Sequence, residues 1–304
     1  MAPLVSVIIP AYNHERFIGA AVDSVLNQTV DDVELIVVDD GSTDRTGEIV
    51  QSYADERLRY FHQENMDAFN TLNRGLDLAR GEYLAILNSD DVYARNRLES
   101  LLQRSREREM RCLITDVIPI SDEGIEFSDP EFGWNIWHQK NRAFYFHCGD
   151  LYTAFLKGNF MVTTSNLFMA AEVAKRVGKF CSLRYLHDYD YIFRILLAFP
   201  NQVDYLHDEK LLYYRIHSGN TLGEAAIIGR EQDQQLIRTY MQKRVPEQYR
   251  PYIDAGAARL IELGDELHAV KVQLQPEQRQ PGVKGSARLL AKSIKIWAKK
   301  QFTS

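Results

Sequence analysis

Within residues 4–118, short and mostly apolar runs alternate with amphipathic stretches, and that alternation leaves few architectures open. The runs Leu4 to Pro10, Glu34 to Asp39, Leu58 to His62, Tyr83 to Asn88 and Cys112 to Ile118 have strand length, whereas the segments between them carry apolar residues at helical spacing. A strand that is apolar along most of its length needs cover on both faces. The pattern therefore predicts an α/β fold, a Rossmann-like and mostly parallel sheet flanked by helices. Such sheets bind ligands outside the carboxyl ends of their strands, so function is sought there.

Two of those ends are acidic. Asp39-Asp40 follows the run Glu34 to Val38, and Asn88-Ser89-Asp90-Asp91 follows Tyr83 to Leu87. A carboxylate at the mouth of a buried strand is costly to desolvate unless a cation or a hydrogen-bond donor meets it. The first strand ends in Pro10-Ala11-Tyr12-Asn13, which sets an aromatic ring beside Asp39-Asp40. A tyrosine stacks on a pyrimidine, and an ionised Asp40 accepts only from a group bearing hydrogen, such as N3–H of uracil or thymine; cytosine lacks it. The competing reading of Asp39-Asp40-Gly41-Ser42 is a turn, with Thr43 or Asp44 capping the next helix. At the second cluster Asp90 is the expected ligand of Mg2+ or Mn2+, ions held by one or two carboxylates together with ligand phosphates and water. The alternative there is that Asn88 and Asp91 end the strand and start a helix at Arg95.

Composition excludes several classes. The three cysteines, Cys112, Cys148 and Cys181, have no C-x-x-C spacing, which points to buried thiols in a reducing compartment and away from a disulfide framework or structural zinc. The run Leu4 to Ala11 lacks a basic leader, and no stretch approaches the ~18 apolar residues of a membrane span. A cytoplasmic protein is expected. The net charge of −6 argues against nucleic acid as a partner. Residues 279–304 reverse the sign, with Arg279, Lys284, Arg288, Lys292, Lys295, Lys299 and Lys300 and no acid. Within them, 286–300 forms an amphipathic helix candidate with Leu290, Ile294 and Trp297 near one side, suited to peripheral contact with the inner face of an anionic membrane or to packing on protein.

Beyond residue 120, Ser121 to Asp150 is rich in aromatics with little periodicity and is expected to be an ordered, irregular connection. Trp134 and Trp137 there either pack beneath a loop or form a platform for a sugar or lipid-linked acceptor. A strand is expected at Thr163 to Met169, helices at Ala170 to Val177 and Asp188 to Phe199, a strand at Val203 to Tyr214, and helix from Ala225 onward. The division is 1–120 and 121–224, two halves of one domain, and 225–304, a helical extension with the basic tail.

Four blocks together carry a resemblance: Val5-Ser-Val-Ile-Ile-Pro-Ala-Tyr-Asn13, Val37-Val-Asp-Asp-Gly-Ser-Thr-Asp44, Asn73-Arg-Gly-Leu-Asp-Leu-Ala-Arg-Gly-Glu-Tyr83 and Leu87-Asn-Ser-Asp-Asp91. In order and spacing the chain resembles family 2 glycosyltransferases through about residue 100. The resemblance implies a GT-A fold, an inverting reaction, and Mn2+ or Mg2+ bridging the diphosphate of a nucleotide-sugar donor. It places Pro10, Ala11, Tyr12, Asn13, Asp40, Asn88 and Ser89 on the nucleotide and Asp90 on the metal. It also implies nucleotide-sugar binding for the half 1–120 and acceptor binding and catalysis for the half 121–224.

Two later blocks extend it. His187-Asp188-Tyr-Asp190-Tyr-Ile-Phe-Arg194 is similar to the family's Glu-Asp-x-Asp block, which makes Asp188 the base; the competing role is an N-cap on a helix beginning at Tyr189. Tyr214-Arg215-Ile-His217 resembles the late Arg-x-His segment and implies His217 as a metal or diphosphate ligand. Asp91, Asp190 and Arg215 are implied as diphosphate-facing or supporting groups. Three departures stand out: Asn88 replaces the usual first acid of the metal motif, His187 replaces the acid before the base, and Asn65 to Asn70 lack the glycines and arginine of many relatives. The implied activity is transfer from a UDP-sugar, with dTDP-sugar second, to a hydroxyl of a glycan or lipid-linked acceptor in cell-surface polysaccharide synthesis. The alternative is an impaired nucleotide-binding or scaffold protein on the same fold. A sugar nucleotidyltransferase is disfavoured, because Pro10-Ala-Tyr-Asn-His stands where its glycine-rich loop belongs.

Overall fold

A computed structural model describes residues 2–157, 159–182, 186–217, 247 and 251. The N-terminal half builds β1 (Val5–Ala11), α1 (Ile18–Leu26), β2 (Val33–Asp39), α2 (Thr46–Gln51), β3 (Leu58–His62), α3 (Ala68–Leu78) and β4 (Tyr83–Ile86). Then come β5 (Val92–Tyr93), α4 (Arg97–Arg108), β6 (Cys112–Ile120), α5 (Gly133–Cys148), α6 (Leu151–Lys157), β7 (Phe168–Ala170), α7 (Ala171–Val177), α8 (His187–Ala198) and β8 (Val203–Arg215). The eight strands form one sheet in the order β3-β2-β1-β4-β7-β6-β8-β5. Only β7 and β5 run against the rest. Every residue of β2 is buried, as is all of β1 except Pro10, which is what helices on both faces require. In α1 the buried residues Ile18, Ala21, Val22 and Val25 recur at helical spacing.

Register brings the acidic ends together. Ala11 lies opposite Asp39 across β1 and β2, and Ile8 lies opposite Ile86 across β1 and β4. The segments that follow Ala11, Asp39 and Ile86 therefore leave the sheet side by side on its carboxyl edge.

At the opposite edge the chain is pinned by a buried network. Ser6 Oγ donates to Glu34 Oε1 at 2.6 Å and accepts from the Gly81 backbone N–H at 2.8 Å, while Arg59 and Arg80 each reach Glu34 Oε2 at 2.7 Å. A Cβ added to Gly81 would sit 2.5 Å from the backbone nitrogen of Ser6, a contact no side-chain rotation relieves. Gly81→Ala is expected to cost about 1–3 kcal/mol of stability through overpacking. A urea midpoint equal to that of the parent would contradict this.

Several expectations need correction. Residues 133–148 form a helix rather than an irregular connection. Trp134, His138, Tyr145 and Cys148 face the core at helical spacing, and Gly149, at φ 64°, closes the helix by donating its N–H to Tyr145. The helix is docked by charge as well. Buried Asp116, at a register shift between β6 and β8, accepts from His138 at 2.5 Å and Tyr205 at 3.0 Å and pairs with Arg142 at 3.0 Å.

The expected strand at Thr163–Met169 is mostly a 3-10 turn, Thr164–Asn166, and only Phe168–Ala170 pairs as strand. Thr163 Oγ1 accepts the Ser165 N–H and so competes with extended pairing. The helix placed at Arg95 begins at Arg97, after the short strand β5, and its fully buried guanidinium bonds Thr115 and Asn166. Cys112 is buried, and burial pushes its thiol up to about 12, but Cys148 and Cys181 are only partly buried. The helix expected from Ala225, the extension 225–304 and the tail 286–300 lie outside the described residues.

Candidate active site

At the end of β2, Asp39 and Asp40 divide their work. Asp39 Oδ1 accepts the Ser42 N–H at 2.9 Å and Oδ2 accepts Tyr60 O–H at 2.6 Å. Burial opposes its ionisation, yet these bonds hold the carboxyl below its usual range. Asp39 thus fixes the turn, which passes through Gly41 at φ 79°. Asp40 donates its backbone N–H to Ala11 O at 2.8 Å, which places it beside the end of β1. Its Oδ1 accepts from Gln63 Nε2 at 2.6 Å and from the Met66 N–H at 3.0 Å. The residues that depart from the family pattern at 65–70 therefore still orient this carboxylate.

The loop after β1 is tied to the same turn. Asn13, at φ 52°, accepts the Thr43 N–H at 2.8 Å and donates its own N–H to Ser42 Oγ at 2.9 Å. Asn13 is therefore a brace between loops, whereas Tyr12 next to it is 47% exposed and offers its ring to solvent. Neither Thr43 nor Asp44 caps α2 as an N-cap, which is Arg45 without a side-chain bond. Asp44 instead accepts the N–H groups of Glu15 and Thr46 at 2.9 Å each.

The second cluster gathers imidazoles. His217 Nε2 lies 3.0 Å from Asp90 Oδ2. His14, unremarked in the sequence, joins them: one nitrogen from each ring and one Asp90 oxygen all lie within 4.8 Å of one another. Two imidazoles and a carboxylate make a donor set that suits a divalent transition-metal ion. Burial lowers the pKa of His14 and favours the neutral ring, the form that ligates. Burial works against ionising Asp90, but the His217 hydrogen bond and the neighbouring imidazoles outweigh it and keep its carboxyl below the usual range.

Asp91 turns inward from this group. It accepts Ser165 Oγ at 2.5 Å, Thr163 Oγ1 at 3.2 Å and the Arg215 N–H at 3.0 Å, and burial beside Asp90 pushes its pKa up to about 8. Asn88 donates to Thr163 Oγ1 at 2.9 Å, and its own N–H goes to Ser165 Oγ at 2.8 Å. Ser89 bonds His14 Nδ1 at 2.6 Å. Arg215 reaches the backbone oxygens of Asp90, Ser121 and Asp122 at 2.7–2.8 Å and braces the cluster from behind.

Asp188 sits in the first turn of α8, which starts at His187 and has Leu186 as N-cap, so the N-cap role does not apply to it. Its carboxyl is buried, and desolvation raises its pKa, partly offset by the His187 charge and by bonds from the Tyr189 N–H and Asn159. The Asn159 side chain donates to Asp188 Oδ2 at 2.9 Å. Asp190 does not face this group: it grips Arg194 at 2.7 Å, and Arg194 in turn bonds the backbone oxygens of Val177 and Lys179.

Asn159 and Thr163 belong to one loop, and with consecutive Cα atoms 3.8 Å apart their Cα atoms are separated by at most about 15 Å. The segment that clamps Asp188 thus also bonds Asn88 and Asp91. Between them Val162, a β-branched residue, is held at φ 77°. His14, Asn159, Thr163 and Ser165 carry no motif that marks them in the sequence. Trp134 stacks on His138 at 4.9 Å and on Tyr214 at 6.1 Å, while Trp137 is 42% exposed. The first packs, and the second faces solvent.

Removing the Asn159 bond removes a contact that favours ionised Asp188. Asn159→Ala is expected to move the titration of the Asp188 carboxyl to higher pH, because the ionised form loses a donor. An Asp188 titration, followed by NMR, at the parent's position would refute the clamp.

Comparison with known proteins bears on these residues. The profile described as Glycosyl transferase family 2 matches residues 6–163. An uncharacterized glycosyltransferase of Rickettsia typhi is 32% identical over 233 residues, covering 74% of this chain and 67% of that protein. Glycosyltransferase GlyG of Streptococcus pneumoniae is 40% identical over 117 residues, covering 38% of this chain and 39% of its own length. Chondroitin synthase of Escherichia coli is 31% identical over 223 residues, 72% of this chain but only 30% of the synthase. Among solved structures, TarS 1–349 of S. aureus in complex with UDP-GlcNAc superposes with a TM-score of 0.60 at 19% identity, covering 86% of this chain and 72% of that one. The mannosyltransferase PcManGT from Pyrobaculum calidifontis, in complex with GDP-Man and Mn2+, gives 0.61 at 18% identity, covering 97% and 81%. With a curled, mostly parallel sheet flanked by helices and a profile match over more than half its length, the chain belongs to glycosyl transferase family 2 and has the GT-A fold.

Proposed function

We propose that the protein is an inverting, metal-dependent glycosyltransferase that moves a hexosyl group from a UDP-sugar, with dTDP-sugar second, to a hydroxyl of a glycan or lipid-linked acceptor in cell-surface polysaccharide synthesis. The observation that carries the reading is the loop 159–163, which bonds Asp188 at one end and Asn88 and Asp91 at the other. Inversion needs a base on one side of the sugar and neutralisation of the leaving diphosphate on the other. Asp188 takes the proton of the attacking hydroxyl, a role that suits a carboxyl whose pKa burial has raised. Asp90 and His217 hold the cation, with Mn2+ or Mg2+ the candidates. A divalent ion bound there stabilises the charge that develops on the departing nucleoside diphosphate.

Tyr12 stacks on the base and Asp40 accepts its ring N–H, with Pro10 and Ala11 forming the floor at the end of β1. Asn13, Asn88, Ser89, Asp91 and Arg215 shape the site through the bonds described above. In this reading 1–120 binds the donor and 121–224 presents base and acceptor, both on one continuous sheet; 225–304 is the extension, whose basic segment 286–300 contacts the inner face of the membrane. Among the described residues no helix is long and apolar enough to cross a membrane.

The donor is tested by a thermal-shift panel of UDP-, dTDP-, GDP- and CDP-sugars with Mn2+, since a ligand that binds the folded state raises its melting temperature by mass action. UDP-sugars are expected to give the largest shift and CDP-sugars none. Equal stabilisation by CDP-sugars would remove Asp40 from base recognition.

A further inference from the structure

We propose that His14 is the second imidazole ligand of the cation site, and that this nitrogen-rich donor set makes the site select a first-row transition-metal dication such as Mn2+ over Mg2+. The proposal rests on the metal-dependent reading above and extends it to which ion is bound and when.

His14 is held as a ligand needs to be held. Its backbone N–H donates to Thr46 Oγ1 at 2.8 Å, and its carbonyl accepts the N–H groups of Phe17 and Ile18 at 2.9 Å each, so the main chain is fixed at the start of α1. Its ring is fixed separately, by the 2.6 Å bond between Nδ1 and Ser89 Oγ. When that nitrogen donates to the serine, Nε2 keeps its lone pair. A hydrogen bond on the far nitrogen is the usual way a protein sets the tautomer and orientation of a ligating histidine. The two imidazoles lie 5.8 Å apart, centroid to centroid, at 82° to one another, and buried Phe17 packs against both, at 5.9 Å from His14 and 4.9 Å from His217. A nitrogen of each ring and an oxygen of Asp90 come within 4.8 Å of one another, close enough for one ion to touch all three.

The chemistry of these donors discriminates among ions. Mg2+ sheds water reluctantly and takes oxygen ligands, whereas first-row transition dications accept imidazole nitrogen, Mn2+ least strongly among them. Each imidazole added to the Asp90 carboxylate therefore disfavours Mg2+ relative to Mn2+. Three protein ligands would hold an ion before any nucleotide arrives and would leave room on it for phosphate oxygens and water.

The test uses the full chain without nucleotide. Mn2+ is titrated against wild type, His14→Ala, His14→Gln and Asp90→Asn by following the free-ion EPR signal, Mg2+ is added as competitor, and pulsed EPR counts the nitrogen couplings on bound Mn2+. Wild type is expected to bind Mn2+ with two imidazole couplings and to resist displacement by Mg2+. Both His14 variants should lose at least about tenfold in Mn2+ affinity, since even the outer partners of metal ligands are worth 10–100-fold, and keep one coupling. Their competition by Mg2+ should become easier. Unchanged Mn2+ affinity in both variants, a single coupling in wild type, or no Mn2+ binding without nucleotide would overturn the proposal. If neither His14 variant folds, the wild-type coupling count decides. Loss of affinity in Asp90→Asn alone would sink the histidine and leave the metal reading intact; full affinity in Asp90→Asn would sink the metal reading itself.

Discussion

Asp188→Asn is expected to lower turnover by about 10²–10⁴-fold, the usual contribution of a general base, while donor affinity stays near that of wild type. The amide keeps an oxygen to accept from Asn159 but has lost the basicity that the proposed role requires. The same change is expected to raise the melting temperature at neutral pH. Desolvation raises the carboxyl's pKa above its unfolded value, so the folded state holds the proton more tightly than the unfolded chain does. The ionised carboxyl therefore costs stability at pH above its folded pKa, and the cost vanishes below the ordinary carboxylate value. Asparagine removes that cost. Calorimetry at pH 7 together with single-turnover kinetics checks both halves. Turnover within tenfold of wild type would remove Asp188 as the base.

Asp90→Asn is expected to abolish the part of donor affinity that depends on the divalent ion. Wild type should bind UDP more tightly with Mn2+ than without it, and the variant should bind equally in both conditions. Calorimetry that finds wild type itself indifferent to Mn2+ would contradict the role. Asp91 supplies a second readout. Its pKa of about 8 comes from burial first and from the Asp90 charge next, so neutralising Asp90 should lower it. Carboxyl titration followed by NMR on metal-free protein reads that shift, and an Asp91 titration at the parent's position in Asp90→Asn would contradict it. At Asp188, activity and stability are expected to move in opposite directions, as where a site is assembled at the expense of the fold.

The parallel core is legible from sequence because β1, β2, β4 and β6 are buried on both faces and so are apolar almost throughout. Strand ends such as Asp40 and Asp90 stand out against that background. Helix α5 does not, because its inward positions are Trp134, His138, Tyr145 and Cys148, residues whose polar atoms hide the helical period. Thr163 to Asn166 look extended by composition, yet local side-chain bonds close a 3-10 turn. At the site, the segments that match a motif are visible one at a time, but what they bond is not. Asp190 and Arg215 read from sequence as diphosphate-facing or supporting groups, and only the structure shows that Asp190 bonds Arg194 and that Arg215 bonds three backbone oxygens. His14 and Asn159 gain meaning only from residues 76 and 29 positions away, Asp90 and Asp188, a relation that local spacing does not encode.

The positive φ of Val162 has a bearing on what holds the loop 159–163 in place. A branched side chain kept in that backbone region stores about 1–3 kcal/mol, and it does so next to Thr163, in the loop that bonds Asp188 through Asn159 and Asn88 and Asp91 through Thr163. The loop therefore keeps its course because its partners hold it, not because its own backbone prefers it.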